Sequence, residues 1–147
     1  MDSIVDVGYT NSMQHVLTLP RGAEVISELN KYAIQYSLGS AWVNGLGGAS
    51  DVILGFYDIK TKQYIWKQYN EALEIVNITG NLSWVDGKPH WHMHAVLSDK
   101  TMKSYGGHVK VIRVGLACEL LISPLEQKFT RIPDEKTGLK LLSPVYS

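Results

Sequence analysis

Four of the chain's five histidines fall in the stretch HWHMHAVLSDKTMKSYGGH, residues 90–108. Imidazoles can ligate a metal or shuttle protons near neutral pH. In a strand, side chains alternate between faces, so His90, His92 and His94 project together while Trp91, Met93, Ala95 and Leu97 share the opposite, apolar face. With a rise of about 3.3 Å per residue, alternate histidines stand about 6.6 Å apart at Cα, close enough for two imidazoles to converge on one ion. A third ligand is needed, and His108 is the evident choice if SDKTMK (98–103) turns the chain back into an antiparallel partner; otherwise a symmetry-related subunit could supply it. An odd number of loop residues puts His108 on the face of His92 and His94, an even number puts it on the other, and a bulge at Gly106-Gly107 is the expected means of correcting parity. Three neutral imidazoles with an open position suit Zn²⁺; iron, nickel, copper and manganese accept the same ligands. The competing readings are a general acid/base cluster and the plain polar face of a half-buried strand.

Other chemistry has less support. The single cysteine, Cys118, lies in the apolar run VGLACELLIS, so the chain offers neither an internal disulfide nor a thiolate zinc site, and a buried core thiol is expected. No nucleophile-elbow motif is present for Ser/His/Asp catalysis. The glycine-rich NGLGGAS (44–50) lacks the Lys-Ser/Thr of a phosphate loop and is expected to be a turn. Glu71 and Glu74 lead into an apolar strand and could serve as a general base if the fold brings them to the histidines; a solvated edge is the plainer expectation. Lysine plus arginine and aspartate plus glutamate are both 14, so net charge is zero and nothing draws the whole chain to phosphate backbones or anionic membranes. The densest basic group, Lys100, Lys103, Lys110 and Arg113, is interrupted by Asp99 and follows no helix-turn-helix pattern. No leader-like start or membrane-length apolar run occurs, which gives a cytoplasmic expectation.

The elements that must position the histidines follow from periodicity. MQHVLTLP (13–20) reads as a first strand, and AEVISELNKYAIQYSL as the one strong helix, with apolar residues at 25, 26, 29, 33 and 34 and Gly39 placed to end it. Strand-like segments follow: SAWVNGLGGAS, DVILGFYD, QYIWKQY, LEIVNITGNLSWV with a glycine break at Gly80, the histidine strand, YGGHVKVIRVGLACELLIS as one long or two short strands, and KFTRI. Asp86-Gly87 signals a tight hairpin. The expected architecture is a single α+β domain (1–147, core about 13–132, with 133–147 a surface extension) built on a largely antiparallel sheet of about seven strands and one main helix. Leu139, Leu141 and Leu142 of the extension require cover.

Several segments resemble the PPC (plants and prokaryotes conserved) domain family: LPRGAEVISELNKYA, GSAWVNGLGGASDVILGFYD, LEIVNITGNLSWVDGKPHWHMHAVLSD, GGHVKVIRVGLACELLI and EKTGLKLL. The most specific matches are Gly80–Ser83, Asp86–Pro89, the H-x-H pair and G-G-H. The resemblance implies an α+β homotrimer with histidines near a subunit boundary, and it assigns His92, His94 and His108 to the family motifs. His90 stands outside the pattern and is ranked as a flanking residue or occasional fourth ligand. Asp51, which follows the glycine-rich motif, is carried as a weak site candidate, as is Glu71. Thr101-Met102 stands where the family usually has Asp-Gly in the hairpin after the histidine strand. Family members are often described as DNA-binding, so the alternatives to a zinc-bearing trimer with a small-molecule ligand are a DNA-associated regulator and a structural trimer with idle histidines.

Overall fold

The computed structural model describes residues 14–146 in full and the backbone of residues 5–9. Met13, where the first strand was expected to begin, lies outside the described residues; the strand itself runs over His15–Pro20. The order is β1 (Val5–Tyr9), β2 (His15–Pro20), α1 (Val25–Gln35), β3 (Ala41–Asp58), β4 (Gln63–Tyr69), β5 (Leu73–Val85), β6 (Lys88–Ser98), β7 (Ser104–Pro124), β8 (Phe129–Pro133) and β9 (Lys140–Pro144). The first seven strands form one sheet, β1-β2-β7-β6-β5-β3-β4, every pair antiparallel, and β8-β9 is a separate hairpin. Because β3 also pairs with β7, the pairings β7–β6–β5–β3–β7 close a circuit. The single-domain α+β reading with one helix and a mostly antiparallel sheet holds. No helix among the described residues is long and apolar enough to cross a membrane.

Leucine and valine at three-and-four spacing give α1 its buried stripe, Val25, Leu29, Tyr32 and Ala33, which packs on the inner face of the sheet. Its start is fixed by the Glu24 carboxylate, which accepts from the backbone N–H of Ile26 and Ser27. The end differs from expectation. Ser37 takes the left-handed conformation (φ 51°), and its neighbour Leu38 donates back to Ala33, so the helix stops before Gly39 is reached.

Two glycine readings also need correction. NGLGGAS is not a turn: it lies inside the 18-residue β3. Here β3 and β7 approach so closely that a Cβ at Gly45 would fall 2.4 Å from Leu120 and one at Gly47 2.3 Å from the Ala117 carbonyl, and the register shifts between residues 45 and 51 mark bulges. Gly80 does not break β5 either; a Cβ there would meet the His92 carbonyl at 2.4 Å, so glycine permits the close approach of β6. Asp86 and Gly87, both at positive φ, form the tight turn between β5 and β6 that the sequence announces.

The expected extension folds back as β9, which pairs with β8, the strand expected in KFTRI, to form a hairpin. Its tip is tied down where the Tyr57 hydroxyl donates to the Thr137 carbonyl (2.6 Å) and Lys62 to that of Glu135 (2.7 Å), which places β8 beside β5. Within one chain Leu139 is half-buried, but Leu141 and Leu142 stay exposed, contrary to the expected cover.

Candidate metal centre

On β6 the alternation behaves as its residue types dictate. Trp91, Met93, Ala95 and Leu97 are buried in the core, and the histidines take the outer face. The position of His108 is settled by the turn. Ser98 pairs with Ser104 and His94 with His108, so five residues, 99–103, form the loop, and the odd count puts His108 on the face of His92 and His94. The expected bulge at Gly106-Gly107 is absent from the β6–β7 register; the β3–β7 irregularity lies further along, where Ile53 pairs with Val111 but Leu54 with Val109. The turn is held by Asp99, whose Oδ1 accepts from the Thr101 N–H and hydroxyl and from the Lys103 N–H, while Oδ2 accepts from the Tyr105 hydroxyl. These bonds, chiefly those from Thr101, hold the Asp99 carboxyl down at about 2.

Directly opposed residues point to the same side of a sheet, so the register defines one row across the outer face: Val16, Leu121, Asn44, Thr79, His94, His108, Gly55, Trp66. His92 lies in the adjoining row opposite Asn81. The three rings cluster with centroid separations of 5.0 Å (His92–His94), 5.1 Å (His92–His108) and 5.6 Å (His94–His108). One ligand nitrogen from each lies within 4.8 Å of the others, a group that could hold a metal ion. His92 and His108 are half-buried and His94 exposed; His108 Nδ1 is buried with no hydrogen-bond partner. Burial, reinforced by the Arg131 charge and the neighbouring imidazoles, pushes His92 down to about 4; burial and then His94, His90 and Arg131 do the same to His108. Both are therefore neutral at pH 7, the form that ligates.

Four residues that sequence reasoning missed frame the cluster. Tyr64 stacks on Trp66 (4.6 Å between centroids, 21° between planes) and lies 4.9 Å from the His108 ring. Gly55 makes this wall possible, because a Cβ there would fall 2.5 Å from the Trp66 ring. Arg131, on β8, donates to Asn81 Oδ1 (2.8 Å), to Ser83 Oγ (3.1 Å) and to the Lys140 carbonyl (3.3 Å). Burial lowers the pKa of the guanidinium. Asn81 and Ser83 belong to the Gly80–Ser83 motif, which was the available signal; nothing local marks Arg131.

The remaining candidates lie elsewhere. His90 shares the outer face opposite Ser83 but is outside the three-residue group; burial first, then Arg131 and Lys140, lowers its pKa. Asp51 accepts from Gln68 (3.1 Å) on the β3–β4 pair. Glu71 sits in the connection between β4 and β5, where its charge acts on Tyr105, beside the turn rather than the imidazoles. Cys118 is fully buried, its thiol pushed up to about 12 by burial, as a core cysteine should be. The basic residues are dispersed: Lys100 and Lys103 on the turn, Lys110 over the Trp66 ring (4.7 Å), Arg113 donating to the Gly22 carbonyl (3.0 Å).

An antiparallel α+β domain with three imidazoles gathered on its outer face defines a class of small proteins with a surface group that could hold a metal ion. Residues 8–126 match the Plants and Prokaryotes Conserved (PCC) domain, and the chain belongs to that family. Among solved structures, a candidate DNA-binding protein of Ralstonia eutropha is 32% identical (88% of this chain, 90% of that one, TM-score 0.83). A protein of Archaeoglobus fulgidus described as metal-containing is 30% identical (96% and 98%, TM-score 0.83). A candidate DNA-binding protein of Bacteroides thetaiotaomicron, at 23% identity, shares the fold (96% and 96%, TM-score 0.87). No curated protein matches the chain.

Proposed function

We propose that this protein is a homotrimeric metal-binding member of its family, acting in the cytoplasm, with His92, His94 and His108 as the protein ligands of one zinc ion and with a small molecule as the partner of that site. The observation that carries the reading is the convergence of one ligand nitrogen from each of His92, His94 and His108 within 4.8 Å of the others. Neutral imidazoles with no carboxylate suit zinc and its transition-metal neighbours and disfavour magnesium and calcium, which demand oxygen. A zinc ion held here would polarise a bound carbonyl or water; the chain's own residues hold and orient it through β6 and β7. The metal-containing relative from Archaeoglobus fulgidus supports the same reading. Elemental analysis of purified protein tests it: about one zinc per chain is expected, and a chain that neither contains nor accepts a divalent ion contradicts it.

The trimer is supported by an exposed apolar patch continuous with the site. Val16 and Leu121 belong to the row that contains His94 and His108, and Trp42, Leu46 (54% exposed) and Val76 (56%) adjoin it. A second reading, DNA association, is favoured by the description of the Ralstonia eutropha relative. Against it stand the zero net charge and the dispersed basic residues. Titration with duplex DNA at two salt concentrations separates the readings, because phosphate-driven binding weakens steeply with salt.

A further inference from the structure

We infer that the outer face in front of the histidine cluster recognises a small organic carboxylate, and that Arg131 is the residue that anchors its carboxyl group. The inference rests on the metal reading above for the second half of the ligand's anchorage, but its own evidence lies in groups that the metal does not require.

Arg131 is held rather than loose. Nε donates to Ser83 and Nη2 to Asn81, and Asn81 stands opposite His92 on the same sheet face. A guanidinium has five N–H donors, and three are spent on Ser83, Asn81 and the Lys140 carbonyl. Two remain. No carboxylate among the described residues pairs with this half-buried cation, an unusual state for an arginine removed from water. A divalent ion held by three imidazole nitrogens beside this guanidinium leaves three positive charges without an anion, and the ligand is the missing counter-charge.

The aromatic wall decides what kind of anion. Tyr64 and Trp66 stack beside His108 and offer a flat carbon surface next to the cation. Inorganic phosphate or sulfate has nothing to place against it, whereas a carboxylic acid presents a planar carboxylate to the arginine fork and a carbon skeleton to the rings. Lys110, lying over Trp66, adds positive charge at the far edge of the wall.

The test is calorimetric titration of malonate, and separately of inorganic phosphate, into the zinc-loaded full chain at low ionic strength, with zinc content measured on the same samples. The wild-type chain is expected to bind malonate and to prefer it to phosphate; Arg131→Gln is expected to bind malonate at least about tenfold more weakly at unchanged zinc content. Arg131→Lys, which keeps the charge and the stem but loses the fork, covers the case in which Arg131→Gln fails to fold, and it too is expected to bind more weakly. Zinc-loaded protein that ignores malonate, prefers phosphate, or binds malonate equally well in a folded Arg131 variant overturns the inference while leaving the metal reading standing. Protein that takes up no zinc yet binds malonate through Arg131 sustains the inference and removes the metal reading.

Discussion

His92 and His108 differ from ordinary surface histidines because the protein around them is dry enough to keep them neutral. Their pKa values of about 4 lie below the usual 6.5, so the folded chain resists protonating them, and the sign follows. Their contribution to stability is fully present above pH 6.5 and is lost as pH falls toward 4. The same protons compete with a metal, so zinc retention is expected to stay level from pH 8 to about 6 and to fall as pH approaches 4; dialysis at a series of pH values followed by elemental analysis checks this, and loss centred near 7 contradicts it. His90→Ala is expected to keep the ion with affinity within a few-fold of wild type, since His90 lies outside the three-nitrogen group. At this scale the histidines were legible in the sequence because strand alternation is a local rule. Arg131 was not, because the β8 hairpin carries it by a tertiary contact to Asn81 and Ser83 on β5, and no spacing in the chain encodes that.

Elements place these residues through register, and register here comes from a five-residue turn and from close strand contacts. Asp99 organises the turn, with its carboxyl held near 2 by hydrogen bonds; its contribution is present above the ordinary value of 3.8 and is lost as pH falls through about 2. Asp99→Ala is therefore expected to lower the melting temperature at pH 7, with the difference from wild type disappearing as the pH nears 2. Gly80→Ala acts on the other flank: its Cβ would press on the His92 carbonyl, where only backbone can yield, so a loss of about 1–3 kcal/mol in urea unfolding is expected together with weaker zinc binding. The helix and the Asp86-Gly87 hairpin could be read in advance because periodicity and turn chemistry determine them. The glycines at 44–48 and at 80 misled, since a glycine that loosens the chain and a glycine that admits a neighbouring backbone look identical until the neighbour is known. Parity at His108 was likewise open in the sequence, where the turn could close with either count.

At the scale of the molecule, the closed β7–β6–β5–β3 circuit turns one face of each of its four strands inward and leaves the outer face to do the work. Along that face an apolar patch of Trp42, Leu46, Val76 and Leu121 lies beside the histidine row, so the proposed trimer would share a surface with the site. Leu46→Asp is expected to shift the protein from trimer toward monomer in light scattering while the isolated fold persists, because Leu46 already faces solvent within one chain. The family and the α+β class could be reached from the sequence; the shared surface could not, because it exists only once β3 and β7 are paired. The central claim is the three-histidine ion site, and the most direct measurement is elemental analysis of chelator-stripped protein reloaded with zinc, wild type beside His92→Ala and His108→Ala. The account predicts about one zinc per chain in the wild type and almost none in either folded variant. Equal zinc in all three, or none in the wild type, would contradict it.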